Sequence, residues 1–180
     1  MRRCDRSFAK PGSEEIMIGE LEEERIDQIL RNEAVGRIGC GNGEQIYVVP
    51  VTYVYDGKNV YGHMDEGEKV RLMRANPKVC FEVDHIENLA NWQSVIVWGT
   101  YEELRGGEAD KVVLLLLRKF SPLINSKSAD APHGLGGYVD YRIHTALRHG
   151  LMYRINVTKK TGRFEKTDEF HPALDVSESN

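Results

Sequence analysis

The stretch that decides the fold is Val48-Val49-Pro50-Val51-Thr52-Tyr53, followed one turn later by Tyr61-Gly62-His63 and then by Gly67-Glu68-Lys69. Valine, threonine and tyrosine favour a half-buried strand, and Asp56-Gly57-Lys58 supplies the residues that tolerate positive φ, so two strands meet in a hairpin. Pro50 forfeits a ladder bond and is confined to an edge or a bulge, so it marks where the strand opens. Backbone groups freed beside it could pair with a polar ring, with Val49 and Val51 as an apolar wall. Lys69 falls in the first turn of a helix just after Gly67, where its ammonium and the free N–H groups of that turn could converge on one phosphate. Each feature also has a plainer reading. Lys69 could be a solvent-facing lysine, Pro50 an edge proline without a ligand, and His63 a structural histidine.

Working outward, Ala34 to Cys40 and Gly41-Asn42-Gly43-Glu44 add a strand and a hairpin before this stretch, giving three antiparallel strands in a row. Glu68 to Ala75 reads as a short helix stopped at Asn76-Pro77. Lys78 to Asp84 and Ser94 to Leu104 read as two more strands, extending the row to a five-strand meander, and Leu151 to Val157 supplies a sixth. Helices are expected at Glu20 to Asn32, where Leu21, Ile26, Ile29 and Leu30 share a face, and at Glu108 to Phe120, ending near Pro122. Six short strands with few helices curl into a barrel to hide their edges. No repeat and no second domain are evident. Residues 1–15 are polar, with Pro11 and Gly12, and are expected to form an arm that drapes over a partner subunit.

Composition narrows the function. The chain has 180 residues, enough for one domain, with 41% hydrophobic and 29% charged residues and a net charge of −4. That charge gives no footprint for nucleic acid or an anionic membrane. The longest apolar run, Val112 to Leu117, is six residues, against roughly twenty for a spanning helix. Arg2, Arg3, Asp5 and Arg6 have no apolar segment behind them, so no secretory signal is read and a cytoplasmic protein is expected. Cys4, Cys40 and Cys80 form no zinc pattern; they are read as thiols, the latter two in the core, and no metal site is expected. No GxGxxG turn joins a strand to a helix, so any nicotinamide nucleotide binds only transiently.

Taken together, Val35-Gly36-Arg37-Ile38-Gly39, Tyr47-Val48-Val49-Pro50-Val51, Tyr61-Gly62-His63 with Gly67-Glu68-Lys69, Asn76-Pro77 through Asp84, and Trp92-Gln93-Ser94-Val95 ahead of Gly99 resemble the pyridoxamine 5′-phosphate oxidase-like FMN-binding superfamily, in its nitroimidazole-resistance (Nim-type) branch. The resemblance implies a six-stranded antiparallel split β-barrel with flanking helices and FMN as cofactor. It places Val49, Pro50, Val51 and Thr52 along the flavin. Gly62, His63, Gly67 and Lys69 would hold the ribityl chain and phosphate, and Trp92, Ser94 and Val95 would approach the ring. Sites of this family lie between two subunits, so a homodimer is implied. Residues 121–150, with His133, Tyr138, Tyr141 and His144, could cap the neighbour's flavin. The arginine-rich substrate signature of the true vitamin B6 oxidases has no counterpart in Leu151 to Lys166, which points away from that substrate.

The leading expectation is an FMN-dependent oxidoreductase that passes electrons to a small planar acceptor such as a nitroimidazole. In it Lys69 anchors the phosphate and His63 donates a proton or hydrogen bond. Two other classes stand beside it: a flavin-binding or carrier module without its own substrate, and a haem protein using His63 or His144 as axial ligand.

Overall fold

The computed structural model describes residues 16–124 and 150–167, with backbone only for 121–124. In chain order the elements are β1 (Ile16–Glu20), α1 (Glu23–Asn32), β2 (Val35–Gly41), β3 (Ile46–Tyr55), β4 (Val60–Met64), α2 (Glu68–Ala75), β5 (Lys78–Asn88), β6 (Asn91–Leu104), α3 (Gly106–Ile124) and β7 (Leu151–Thr167). The strands form one antiparallel sheet in the order β1-β7-β4-β3-β2-β5-β6, and β6 also pairs with β7. That last pairing closes β2 to β7 into a six-stranded barrel, with β1 added outside the ring on the far half of β7. The split barrel with flanking helices is therefore the fold.

Both hairpins form where expected, with Gly43 at φ 98° and Gly57 at φ 100°, a backbone region that only glycine enters without strain. The five-strand meander does not form. β5 pairs with β2, placing Cys80 opposite Gly39, and has no ladder with β4. α2 carries the chain from β4 across to the far side of β2, so the row of three strands is extended at its other edge. Turn chemistry fixes the hairpins, but only closure decides which edge receives the next strand.

Several boundaries also differ, among them β5, which runs on to Asn88, and β6, which starts at Asn91. Ile16–Glu20 is a strand paired with Arg163 to Thr167, so the first helix starts at Glu23 with Glu22 as its cap. Ile26, Ile29 and Leu30 form its buried face, and Leu21 packs on the core from just outside it. α3 runs through Pro122 to Ile124. β7 extends ten residues past Val157, because its second half finds β6 on one side and β1 on the other. Thr158 is an extra residue between the pairs Trp98–Lys159 and Gly99–Val157, and its hydroxyl donates to the Trp98 carbonyl at 3.0 Å. This bulge bends the strand around the barrel, as bulges do at barrel corners.

The interior is filled by Ile38, Tyr53, Phe81, Val83, Val97, Tyr153 and Ile155, all essentially without exposure. Each large side chain so buried stabilises the fold by about 1.5–3 kcal/mol. A second cluster sits outside the ring, where Val112, Val113, Leu116 and Phe120 of α3 cover Val54, Leu104 and Met152. Cys40 faces the interior, but Cys80 is only partly buried and stands on the outer face, contrary to the expected core position. Among the described residues no helix is long and apolar enough to cross a membrane.

Candidate functional site

The strand that carries Pro50 is paired on only one side for most of its length. β3 pairs with β2 from Ile46 to Thr52, whereas its ladder with β4 begins at Tyr53 opposite Gly62. From Gly62 to Met64, β4 pairs with β7. The barrel is thus split between Thr52 and His63, and the second edge of β3 from Ile46 to Thr52 is unpaired among the described residues. Pro50, opposite Arg37 on β2, lies within that open stretch, where a residue lacking an N–H costs least.

α2 stands at the same end of the barrel. Its cap residue Gly67 makes no side-chain cap bond, leaving the first turn's N–H groups to other acceptors. The Lys69 carbonyl lies 4.0 Å from the Cys40 sulfur, so this turn packs against the end of β2. Lys69 is half-buried and close enough to lower the proton affinity of His63. His63, Gly67 and Lys69 are therefore brought near one another beside the open edge of β3, with Thr52 at the end of that edge where the split begins.

His63 is held below its ordinary value chiefly by burial; Asp65 opposes this and the Lys69 charge adds to it. Burial therefore favours the neutral imidazole. Its Nε2 is buried without a hydrogen-bond partner among the described residues. A side chain at Gly150 would overlap it, coming within 2.7 Å of Cδ2 and Cε1, so the Nε2 edge of the ring abuts the backbone at the entry to β7. Nε2 is closed off as an axial ligand in this arrangement, and His144 lies outside the described residues, as do His133, Tyr138, Tyr141 and the arm at 1–15.

Strand alternation corrects part of the expected site. Val49 and Val51 point into the barrel, Val51 as core and Val49 packed against it, so they form no wall on the outer face. Val95 is fully buried in the same core, and Gly62 faces Tyr153 across the interior. At these positions only backbone can reach a ligand outside the ring. Along the unpaired stretch of β3, Ile46, Val48, Pro50 and Thr52 are the side chains that face outward.

Trp92 and Ser94 lie on β6, well away from the split along the sheet, and both are engaged within the chain. The Trp92 indole donates to Glu165 at 3.0 Å, and Ser94 Oγ donates to Glu82 Oε1 at 3.2 Å. Arg37 links the two regions: its Nη1 donates to Glu82 Oε2 at 3.1 Å and Asp84 Oδ2 at 2.7 Å. Pro50, Arg37 and Glu82 form one outward-facing line across β3, β2 and β5, and Ser94, opposite Asp84 on β6, reaches it through its bond to Glu82. Beside it runs an apolar groove of about 630 Å³ lined by Gly39, Ile46, Val48, Cys80 and Trp98, in which Ile46 is 85% exposed and Val48 61%. Sequence reading passed over Arg37, Glu82 and this groove. Their signal was present as the outward positions of strands whose inward positions are apolar, but outwardness alone does not say what they meet.

The fold and the site define a split β-barrel protein with one open strand edge beside a helix start and a lysine. The chain belongs to the pyridoxamine 5′-phosphate oxidase family, whose model matches residues 22–163. An uncharacterized protein of Rhizobium meliloti (strain 1021) is 32% identical over 84 residues, 47% of this chain and 56% of that protein, so the chain spans little more than half of that curated relative. The crystal structure of an FAD-binding protein from Mesorhizobium loti is similar at TM-score 0.62 and 27% identity, covering 82% of this chain and 98% of that one. That of a candidate 5-nitroimidazole antibiotic resistance protein from Bacteroides thetaiotaomicron has TM-score 0.63 and 16% identity, covering 84% and 90% respectively, a likeness of fold.

Proposed function

We propose that the chain binds a flavin, as FMN, across the split and acts as an oxidoreductase toward a small planar acceptor such as a nitroimidazole. The observation that carries this reading is the unpaired edge of β3 lying beside the first turn of α2 in a member of this family. The donor set fits the cofactor. Lys69 and the uncapped N–H groups after Gly67 suit a phosphate, while the open backbone around Pro50 suits the polar edge of a ring. The flavin would supply the electron-transfer chemistry; the protein supplies position and polarity. Lys69 holds the phosphate, Thr52 and the β3 backbone orient the ring, and His63, being neutral, contributes a hydrogen bond rather than an ionised acid.

The exposed apolar groove supports a homodimer, since a contiguous apolar face of this kind is normally covered by a partner. A second copy over β2 and β3 would shield the site from water. The packing of His63 Nε2 against Gly150 favours a second reading, a flavin-binding module that transfers no proton of its own.

Purification tests the main reading. A yellow protein with a flavin spectrum is expected, and chromatography of the released cofactor separates FMN from the FAD named for the Mesorhizobium loti protein. A colourless protein that cannot be reconstituted with either flavin sinks the proposal. Anaerobic reduction and mixing with nitroaromatics then separates enzyme from module: reoxidation no faster than that of free FMN identifies the module. Gel filtration at micromolar concentration gives a dimer if the groove is covered.

A further inference from the structure

Arg37 stands at the centre of the outward-facing line that joins the open edge of β3 to Glu82. It occupies β2 directly opposite Pro50 and opposite Glu82 on its other side. Its side chain is about half exposed, 46%. Both carboxylate contacts, to Glu82 and to Asp84, are made through Nη1 alone. A guanidinium has five N–H donors. The two on Nη1 are used, which leaves Nε–H and the two on Nη2 without a partner among the described residues. Two carboxylates therefore fix the plane of the guanidinium while its remaining donors stay free. That is how a fork is pre-organised for two adjacent acceptor atoms.

The surroundings narrow what such a fork could meet. On the β2 and β3 side the neighbouring outward positions are Val35, Gly39, Val48 and Pro50, while on the β5 side the carboxylates of Glu82 and Asp84 hold Nη1, so a ligand that reaches the free donors has a flat apolar body lying over β3 with an acceptor-rich edge turned to Arg37. A flavin laid from Lys69 along the open β3 edge has one edge of that kind, the adjacent N1 and C2 carbonyl of its pyrimidine ring. This is also the side that gains negative charge when the ring is reduced.

Resting on the flavin reading above, we infer that Arg37 is the residue that recognises the pyrimidine edge of the bound flavin and sets its electron affinity. Guanidinium N–H donors aimed at N1 and the C2 carbonyl favour the more negative, reduced ring over the oxidised one, although Glu82 and Asp84 offset the net charge of the cluster. Glu82 and Asp84 orient the guanidinium, and Ser94 orients Glu82 from behind. This gives Ser94 a role through Arg37 rather than by its own contact with the ring.

The test is the ratio of affinities of the apoprotein for oxidised and for dithionite-reduced FMN, together with the midpoint potential of the bound cofactor from dye equilibration. Arg37→Ala should weaken binding of reduced FMN about tenfold more than that of oxidised FMN. For a two-electron couple this equals a fall of about 30 mV in midpoint potential. Arg37→Lys, which keeps the charge but loses the fork, should fall between the two. Arg37→Gln reports the same loss of charge if the alanine variant fails to fold, as judged by circular dichroism. An unchanged ratio and potential in a folded, flavin-bound Arg37→Ala or Arg37→Gln overturns the inference. So does a fall in affinity equal for both redox forms. Wild-type protein that takes up no flavin in either state overturns instead the reading on which the inference rests.

Discussion

Gly62→Ala is a sharp test of how the split is built. Gly62 lies on β4 between Tyr53 on β3 and Tyr153 on β7, and a Cβ there would fall 2.5 Å from Tyr153 Cζ and 2.6 Å from Cε1, closer still to the hydroxyl. The tyrosine has no exposed surface into which it could swing. Alanine in a strand gains about 0.5–1 kcal/mol over glycine from backbone entropy, whereas forcing a methyl into a packed core costs about 1–3 kcal/mol. With three atoms of a rigid ring in the way the steric cost wins, for a net loss of about 2 kcal/mol. In a chain of 180 residues that lowers Tm by roughly 4–8 °C. The assay is urea unfolding followed by circular dichroism, with calorimetry for Tm. Gly67→Ala serves as control, because nothing lies within 4 Å of a Cβ at that position. The hydroxyl of Tyr153 is buried without a partner among the described residues, so Tyr153→Phe alone should be neutral or stabilising by up to about 1 kcal/mol. Combined with Gly62→Ala it should recover part of the loss, a coupling visible in a double-mutant cycle. A Gly62→Ala protein as stable as the parent would refute the packing argument.

Lys69→Ala should weaken FMN binding roughly tenfold to a hundredfold, the scale of one charge-assisted hydrogen bond of about 1.5–3 kcal/mol, while His63→Ala weakens it less; equal affinity of Lys69→Ala and parent by fluorescence titration removes Lys69 from the site. The His63 imidazole should titrate below its ordinary value, since burial disfavours the charged form; a proton resonance titrating above pH 6.5 contradicts that. Its stability contribution is correspondingly lost as pH falls, because the unfolded chain takes up the proton first. Lys119 is pushed down to about 8 by burial, although its ammonium donates to the Glu33 carbonyl and stands 4.4 Å over the Tyr53 ring. Between pH 8 and its unfolded value near 10.5 the unfolded chain holds the proton that the folded one has lost, so stability should rise with pH there. Relative to Lys119→Met the rise should be about 1–2 kcal/mol once discounted for partial exposure, and a flat difference between pH 7.5 and 10 refutes it.

Much of the fold was legible because its rules are local. Glycines at 43 and 57 close hairpins by backbone sterics alone, and the inward apolar alternation of β2, β5 and β6 follows from a period of two. Pro50 pointed to an open edge, and the edge is there. What failed had a common cause in partners remote in sequence. The extension of β7 through Lys159-Lys160-Thr161-Gly162 carries no strand signal; pairing to β1 and β6 supplies it. Val49, Val51 and Val95 were read as ligand-facing because the outer and inner faces of a strand are equivalent until closure says which is which. Closure assigns them to the core.

By itself, then, the sequence determined a closed antiparallel barrel, two tight hairpins, a proline at an opening and a lysine at a helix start, all set by steric limits and periodicities acting within a few residues. Only the tertiary structure decided that β5 joins β2, that the split falls between Thr52 and His63, and that Arg37, opposite Pro50, is tied to Ser94 through Glu82. Those depend on which strand edges are left unpaired once the ring has closed, and that is fixed by the packing of residues far apart along the chain.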